Sequence, residues 1–338
     1  MRAAVYPASR DPADVRVETV PDPEPAPGEA LVRVEACSVN HRDLWKLEGT
    51  RDRGADFVGG ADVAGVVEEL GPTPEGSVTV DPGDRVLLCP LLTCRSCRFC
   101  REGPENFCAE YDSYDGGFAE RCVVRADRLL SVPDHVGFVE ASTLPVAYMT
   151  AWRMLDRADV TAGDLVFVPG ATGGVGVAAI QLAALRGAET IGTSTSAEKL
   201  SRLESLGCDH TVRTADPEEM TERVREIGPV DATLNHLGGP YGRVGMEVLR
   251  RAGTQVVCGR TAGGTSELDL WNTYWNHKTL RGSTLGTQND LDRVLEFLSS
   301  GQLDAIVDDT YPLAETATAF RAMDDREIFG KAVVTPQK

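Results

Sequence analysis

Lysine is almost missing from this chain. Of 34 basic residues only five are lysines, at positions 46, 199, 278, 331 and 338, and the other 29 are arginines. Against them stand 52 acidic residues, for a net charge of −18. A surface this negative repels a phosphate backbone and argues against nucleic acid as a partner. An acidic surface short of lysine suits a high-salt cytoplasm, where counterions screen the self-repulsion. A membrane-spanning run is also missing. The longest apolar stretch, Leu165 to Leu185, is broken by Pro169 and four glycines and reads as strand, turn and helix. The N-terminus, MRAAVYPASRDPADVRVE, lacks the apolar segment of a secretory signal. These absences predict a cytoplasmic protein with no membrane partner. Its nine cysteines then meet a reducing environment, where clustered thiols mean metal or catalysis more often than disulfides.

What is present is ordinary globular material. A length of 338 residues suggests two domains, and 42% hydrophobic residues with 34 glycines exclude a disordered or coiled-coil chain. Residues 1–149 read as β-structure. Val15 to Val20 alternates, a proline-rich turn follows through Pro27 and Gly28, and Ala30 to Val39 makes a second strand. Shorter strands fit Val63 to Glu69 and Arg85 to Cys89, which suggests a compact, partly open barrel. From residue 150 to 283 the rhythm becomes strand, helix, strand, with strands at Leu165 to Val168, Thr190 to Thr193, Ala232 to Leu234, Thr254 to Cys258 and Thr279 to Ser283. That alternation predicts an α/β doubly wound parallel sheet. The tail, 284–338, carries an amphipathic helix with Leu291, Val294, Leu295 and Leu298 on one face and is expected to return to the first domain.

The segment LVFVPGATGGVGVAAIQLA sets a glycine-rich turn between an apolar strand and a helix. Positions 171, 173 and 176 have the spacing of the GxGxxG fingerprint, with Ala171 in place of the first glycine. Gly170, Ala171, Thr172, Gly173, Gly174, Val175 and Gly176 would let a pyrophosphate approach the backbone and rest on the helix N-terminus. Where an NAD site offers a carboxylate, the second strand ends in Ser194, Thr195 and Ser196, followed by Lys199. These groups, with Arg213 after the next strand, predict NADPH over NADH, since they suit a 2′-phosphate. Alternatively, Ser196 only caps its helix.

Cys94, Cys97, Cys100 and Cys108 form C-x2-C-x2-C-x7-C, bent by Gly103 and Pro104. Four thiolates can close a tetrahedral site with no open position, which predicts one structural zinc in a lobe spanning 94–108. A closed shell cannot polarise a substrate.

With the cysteine lobe and GATGGVG in this order, and with the segments CSVNHRDL, GGADVAGVVEELG and FGKAVV, the chain resembles the medium-chain dehydrogenase/reductase superfamily of zinc alcohol dehydrogenases and quinone oxidoreductases. The resemblance covers essentially the whole length. It implies a GroES-like catalytic domain from both chain ends, a central Rossmann domain, an active site in the cleft between them, a small-molecule substrate and a homodimer or homotetramer. It also exposes departures. The family's catalytic zinc takes a Cys where Asn40 stands, a His where Ala61 stands and a third ligand near Val146. The family's Ser/Thr proton relay aligns with Arg42, while Asp43 and Asp62 keep its nearby acids. Asn40 with Asp43 is similar to the zinc-independent quinone and enoyl reductases. By family position, His41 and Lys331 approach the cofactor pyrophosphate, and Thr150 and Ser283 lie near the nicotinamide.

Without zinc, oriented hydrogen-bond donors must stabilise developing oxyanion charge. The expected reaction is therefore hydride transfer to a quinone or an enone or enoyl acceptor, whose charge delocalises. Asn40 would orient or polarise the carbonyl, and Asp43 would support it. Tyr148 is a candidate proton donor whose competing role is packing. Trp271, Tyr274 and Trp275 read as packing or a subunit contact. Two alternatives stay open: a zinc alcohol dehydrogenase with relocated ligands such as Cys37, His41 and Asp62, and a nucleotide-binding protein without turnover.

Overall fold

The computed structural model describes residues 1–7, 11–47, 57–72 and 79–337. Its contacts separate into two compact units, Met1–Val146 with Thr287–Lys338, and Ala147–Gly286. The expected boundaries at 149 and 283 each lie three residues from these divisions.

Seven strands form the main sheet of the first unit. Their order is Leu129–Ser131, Arg85–Leu88, Asp62–Leu70, Glu29–Ser38, Lys331–Thr335 and Val307–Pro312, with Arg121–Arg125 also paired to Glu29–Ser38. Glu29–Ser38 alternates half-buried and buried residues over most of its length, the pattern of a strand with one face on a core. Val32, Val34, Phe118 and Phe320 belong to that core. A three-stranded sheet of Arg16–Thr19, Arg2–Tyr6 and Phe57–Val58 joins through Tyr6, which meets Phe57 and Phe320 edge-on.

Register is the property of this sheet that matters for chemistry. Asp62 lies opposite Ser38 on one side of the central strand. Val333 lies opposite Ser38 on the other, antiparallel, so Lys331 falls level with residue 40. The returning tail also supplies the helix Gln288–Ser299, which buries Leu291, Val294 and Leu295. Thr287 and Asp290 close its start as a reciprocal capping box.

In the second unit every strand pairing is parallel. The order is His210–Arg213, Glu189–Ser194, Leu165–Val168, Val230–Asn235, Leu249–Val257 and Thr279–Gly282. Counted within the unit this is 3-2-1-4-5-6, the doubly wound Rossmann order, whose reversal lies between Leu165–Val168 and Val230–Asn235. Gly174–Leu185 is apolar on nearly every side and largely buried. Leu249–Val257 begins earlier than the sequence suggests, because Arg250, Arg251 and Ala252 at its start are exposed and break the apolar run. Among the described residues no helix is long and apolar enough to cross a membrane.

Candidate active site

The glycine-rich turn of the second unit is shaped by close approach. Gly170 has φ +65°, and a Cβ there would come within 2.9 Å of Leu237. A Cβ on Gly176 would lie 2.5 Å from the backbone of Ala171. Gly173 is different, with open space where its Cβ would be. It N-caps Gly174–Leu185 without a side-chain cap, so the helix start faces that space with its backbone donors. The turn is tied to the second strand by Gly170 N–H to Thr193 Oγ1 at 2.9 Å and Ala171 N–H to the Thr193 carbonyl at 2.9 Å.

Beyond that strand the hydroxyls divide their work. Ser196 Oγ accepts the Lys199 N–H at 3.3 Å and so serves as helix cap. Thr172 Oγ1 and Ser194 Oγ lie 3.5 Å apart. Arg213 is registered beside Ser194 and holds the Thr195 carbonyl through Nε at 3.1 Å. Further along the same C-terminal edge, two buried polar atoms have no hydrogen-bond partner among the described residues: Asn235 Nδ2 and Ser283 Oγ. Asn235 Oδ1 is already fixed by the N–H groups of Leu237 and Gly238 at 3.0 and 2.9 Å. The C-terminal edge of a doubly wound sheet is where ligands bind. Sequence reasoning missed Asn235, although an Asn ending a strand just ahead of Gly238 and Gly239 was its available signal. Thr150 is buried at the start of Met149–Arg157. Tyr148 is fully buried at the end of the π-helical turn Leu144–Tyr148, which suits packing better than proton donation.

The first unit gathers a polar cluster at the register point. Asp62 is completely buried, and its two oxygens serve four donors. Oδ1 accepts the Val146 N–H at 3.0 Å. Oδ2 accepts Ser38 Oγ at 2.6 Å, Asn40 Nδ2 at 2.8 Å and Lys331 Nζ at 3.2 Å. Lys331, 2% exposed, also donates to Asn40 Oδ1 at 2.6 Å and to the Val39 carbonyl at 2.8 Å. An ammonium has three protons, so none is left for a pyrophosphate. The side chain that family position sets at the pyrophosphate is here bonded to three acceptors of its own unit. Asn40 is itself held on both ends of its amide, and among the described residues its second Nδ2 proton meets only the Ser38 carbonyl, at 3.4 Å.

Asp43 anchors the cluster from below. Its Oδ2 accepts the Asn40 N–H at 2.9 Å, and burial lifts its pKa from 3.8 to about 6 against the pull of Arg42 and Lys46. Arg42 donates to Ser113 Oγ at 2.6 Å and pairs with Asp115 at 3.2 Å. His41 is held at about 4 by burial and by the charge of Lys331, so its imidazole is neutral at physiological pH. Cys37, His41 and Asp62 do not come together as a ligand group. Among the described residues the only group of three or more metal-ligating side chains is the four cysteines. Cys37 instead packs where a Cβ on Gly60 or Gly117 would touch its sulfur.

Those four sulfurs lie within 4.8 Å of one another. Cys94 and Cys100 are 3.8 Å apart and Cys97 and Cys100 3.5 Å, near the ~3.8 Å edge of a tetrahedron built on 2.3 Å zinc–sulfur bonds. The Ser96 N–H and hydroxyl, with the Cys97 N–H, bring the Cys94 thiol down to about 6 and favour its thiolate.

Residues 26–134 match the alcohol dehydrogenase GroES-like domain and residues 174–300 the zinc-binding dehydrogenase domain. An alcohol dehydrogenase of Geobacillus stearothermophilus is 30% identical, covering 99% of both chains. The chain belongs to the medium-chain dehydrogenase/reductase superfamily. An acryloyl-coenzyme A reductase of Metallosphaera sedula is 29% identical over 99% of this chain and all of its own. A crystal structure of an NAD-dependent alcohol dehydrogenase superposes with a TM-score of 0.92 at 34% identity, covering 99% of each chain. This medium-chain dehydrogenase/reductase is therefore an oxidoreductase, with relatives in both the alcohol and the enoyl branches.

Proposed function

We propose that this chain reduces a conjugated carbonyl acceptor, of quinone or enone and enoyl type, with NAD(P)H and without a catalytic metal. One observation carries the reading. Where the family's zinc ligands would stand, the chain has Asn40, Ala61 and Val146, and the adjoining carboxylate, Asp62, is filled by Lys331, Asn40, Ser38 and Val146. A cation is thus already supplied by the protein, and among the described residues no group of three metal-ligating side chains forms around it.

The second unit fits a dinucleotide. Open space at Gly173 and the uncapped helix behind it suit a pyrophosphate, and the orphaned Asn235 Nδ2 and Ser283 Oγ suit a polar nicotinamide or ribose. Ser194 and Arg213, with no carboxylate ending the Glu189–Ser194 strand, favour NADPH, with Lys199 in the following helix. A reduced nicotinamide bound there supplies a hydride. The chain's own part is electrostatic: the loosely held Nδ2 proton of Asn40 is the one a substrate oxygen can accept. Asp43 fixes the Asn40 backbone while this happens. The cysteine lobe has the donors and spacing for one structural zinc.

A homo-oligomer completes the reading. Trp271 and Trp275 stack at 6.1 Å yet are 60% and 58% exposed, beside Tyr274 and the edge strand Thr279–Gly282. Such an exposed aromatic patch suits a subunit contact rather than interior packing.

The test is NADPH oxidation over quinone, enone, enoyl-CoA and aldehyde panels, with native protein and Asn40→Ala. Turnover on conjugated acceptors, cut by roughly 10²-fold in the variant with NADPH affinity kept, is the expected result. Activity confined to simple aldehydes and alcohols would favour the alcohol dehydrogenase reading, and tight NADPH binding with no turnover would leave a silent nucleotide binder.

A further inference from the structure

We propose that the Lys331 ammonium is the working cation of the active site, a positioning residue that activates the Asn40 amide. The inference rests on the reductase reading above and gives it a charge source. Lys331 comes from the final strand of the chain and reaches Asn40 only because that strand lies antiparallel to Glu29–Ser38 in this register. Its three protons go to the Val39 carbonyl, Asn40 Oδ1 and Asp62 Oδ2. It cannot also donate to a substrate.

What it can do is polarise. A charged donor on Asn40 Oδ1 at 2.6 Å draws electron density away from Nδ2 and strengthens both of its N–H donors. One of these is committed to Asp62 Oδ2 at 2.8 Å, and the other meets the Ser38 carbonyl at only 3.4 Å. The second is therefore a strengthened donor with a weak partner. Stability offers a poor alternative reason for the arrangement. A buried ion pair repays little of its desolvation, and apolar residues of equal volume commonly do as well. Nor do the other cations nearby share the task. His41 is neutral, and Arg42 and Lys46 are turned to Asp43 and Asp115.

Lys331→Met alone strands the Asp62 carboxylate and can unfold the domain, so the informative protein is Lys331→Met combined with Asp62→Asn. Both charges leave together and the volume is roughly kept. The double variant is expected to melt close to the native protein and to bind NADPH as tightly. Its kcat for an enone should fall on the order of 10²-fold while KM stays within about threefold. A kcat within about threefold of native in this folded variant would show an ion pair of structural value only and overturn the proposal. A second readout does not depend on turnover. With ¹⁵N-asparagine labelling, the Asn40 side-chain amide protons should move upfield when Lys331 is removed, and resonances that stay in place overturn the proposal even if no substrate is found. A native protein silent over the whole acceptor panel would instead defeat the reductase reading.

Discussion

Removing the Asp62 carboxylate should be among the costliest single changes this protein can suffer. Asp62→Ala leaves the Lys331 ammonium, 2% exposed, without its counterion. Breaking a buried pair from one side costs about 3–5 kcal/mol. Three further donors, Val146 N–H, Ser38 Oγ and Asn40 Nδ2, lose their acceptor at distances of 3.0, 2.6 and 2.8 Å. Ser38 Oγ keeps a bond to the Ser142 carbonyl at 2.9 Å, so its loss is the smallest. Counting about 1 kcal/mol for each of the other two, the total is roughly 5–7 kcal/mol. At ~2–4 °C per kcal/mol for a domain of this size, Tm should drop by at least ~10 °C. Thermal melts and guanidinium titrations of native, Asp62→Ala and the exposed-site control Asp127→Ala measure this directly. A loss under about 1 kcal/mol, within the range of the surface control, would refute the claim that these residues form one interdependent cluster.

Arg213→Ala should weaken NADPH binding by about tenfold and leave NADH unchanged, because only the 2′-phosphate distinguishes them; equal loss for both cofactors would remove Arg213 from the site. Asp43 gives a pH signature. Its pKa of about 6, against 3.8 unfolded, means the folded protein holds the proton more tightly. Stability from this group is therefore present at low pH and lost as pH rises from about 4 to about 6. Asp43→Asn abolishes that loss, so between pH 4 and 7 the variant should gain on the native protein by up to ~3 kcal/mol in guanidinium melts, whereas a constant difference contradicts the assignment.

What could be seen in the sequence was what is local. The turn after Leu165–Val168 and the four cysteines each fit within a few residues of chain, and short-range spacing carries them into the fold unchanged. Most of the parallel sheet was equally visible, because Leu165–Val168 is a continuous apolar run and strand and helix patterns alternate after it, whereas the edge strand His210–Arg213, with a single buried residue, carries little apolar signal. The Lys331 cluster was not. It joins residues 269 and 291 positions apart, and its geometry depends on which residue faces Ser38 across two strand pairs. Family position drew Lys331 toward a phosphate, and nothing in FGKAVV says where its side chain turns. Asn235 was missed for a related reason: its interest lies in an amide nitrogen left without a partner, which only three-dimensional accounting reveals. The helix Pro217–Ile227 passed unnoticed although Asp216 caps it, a proline opens it, and Met220, Val224 and Ile227 recur at helical spacing.

Counting zinc in freshly purified protein that is turning over an enone bears most directly on the whole account. One ion per chain, with turnover indifferent to a small chelator, is the result a lysine-based site requires. Two ions per chain, or turnover that a chelator abolishes and added zinc restores, would mean that a metal does the work assigned here to Lys331 and Asn40.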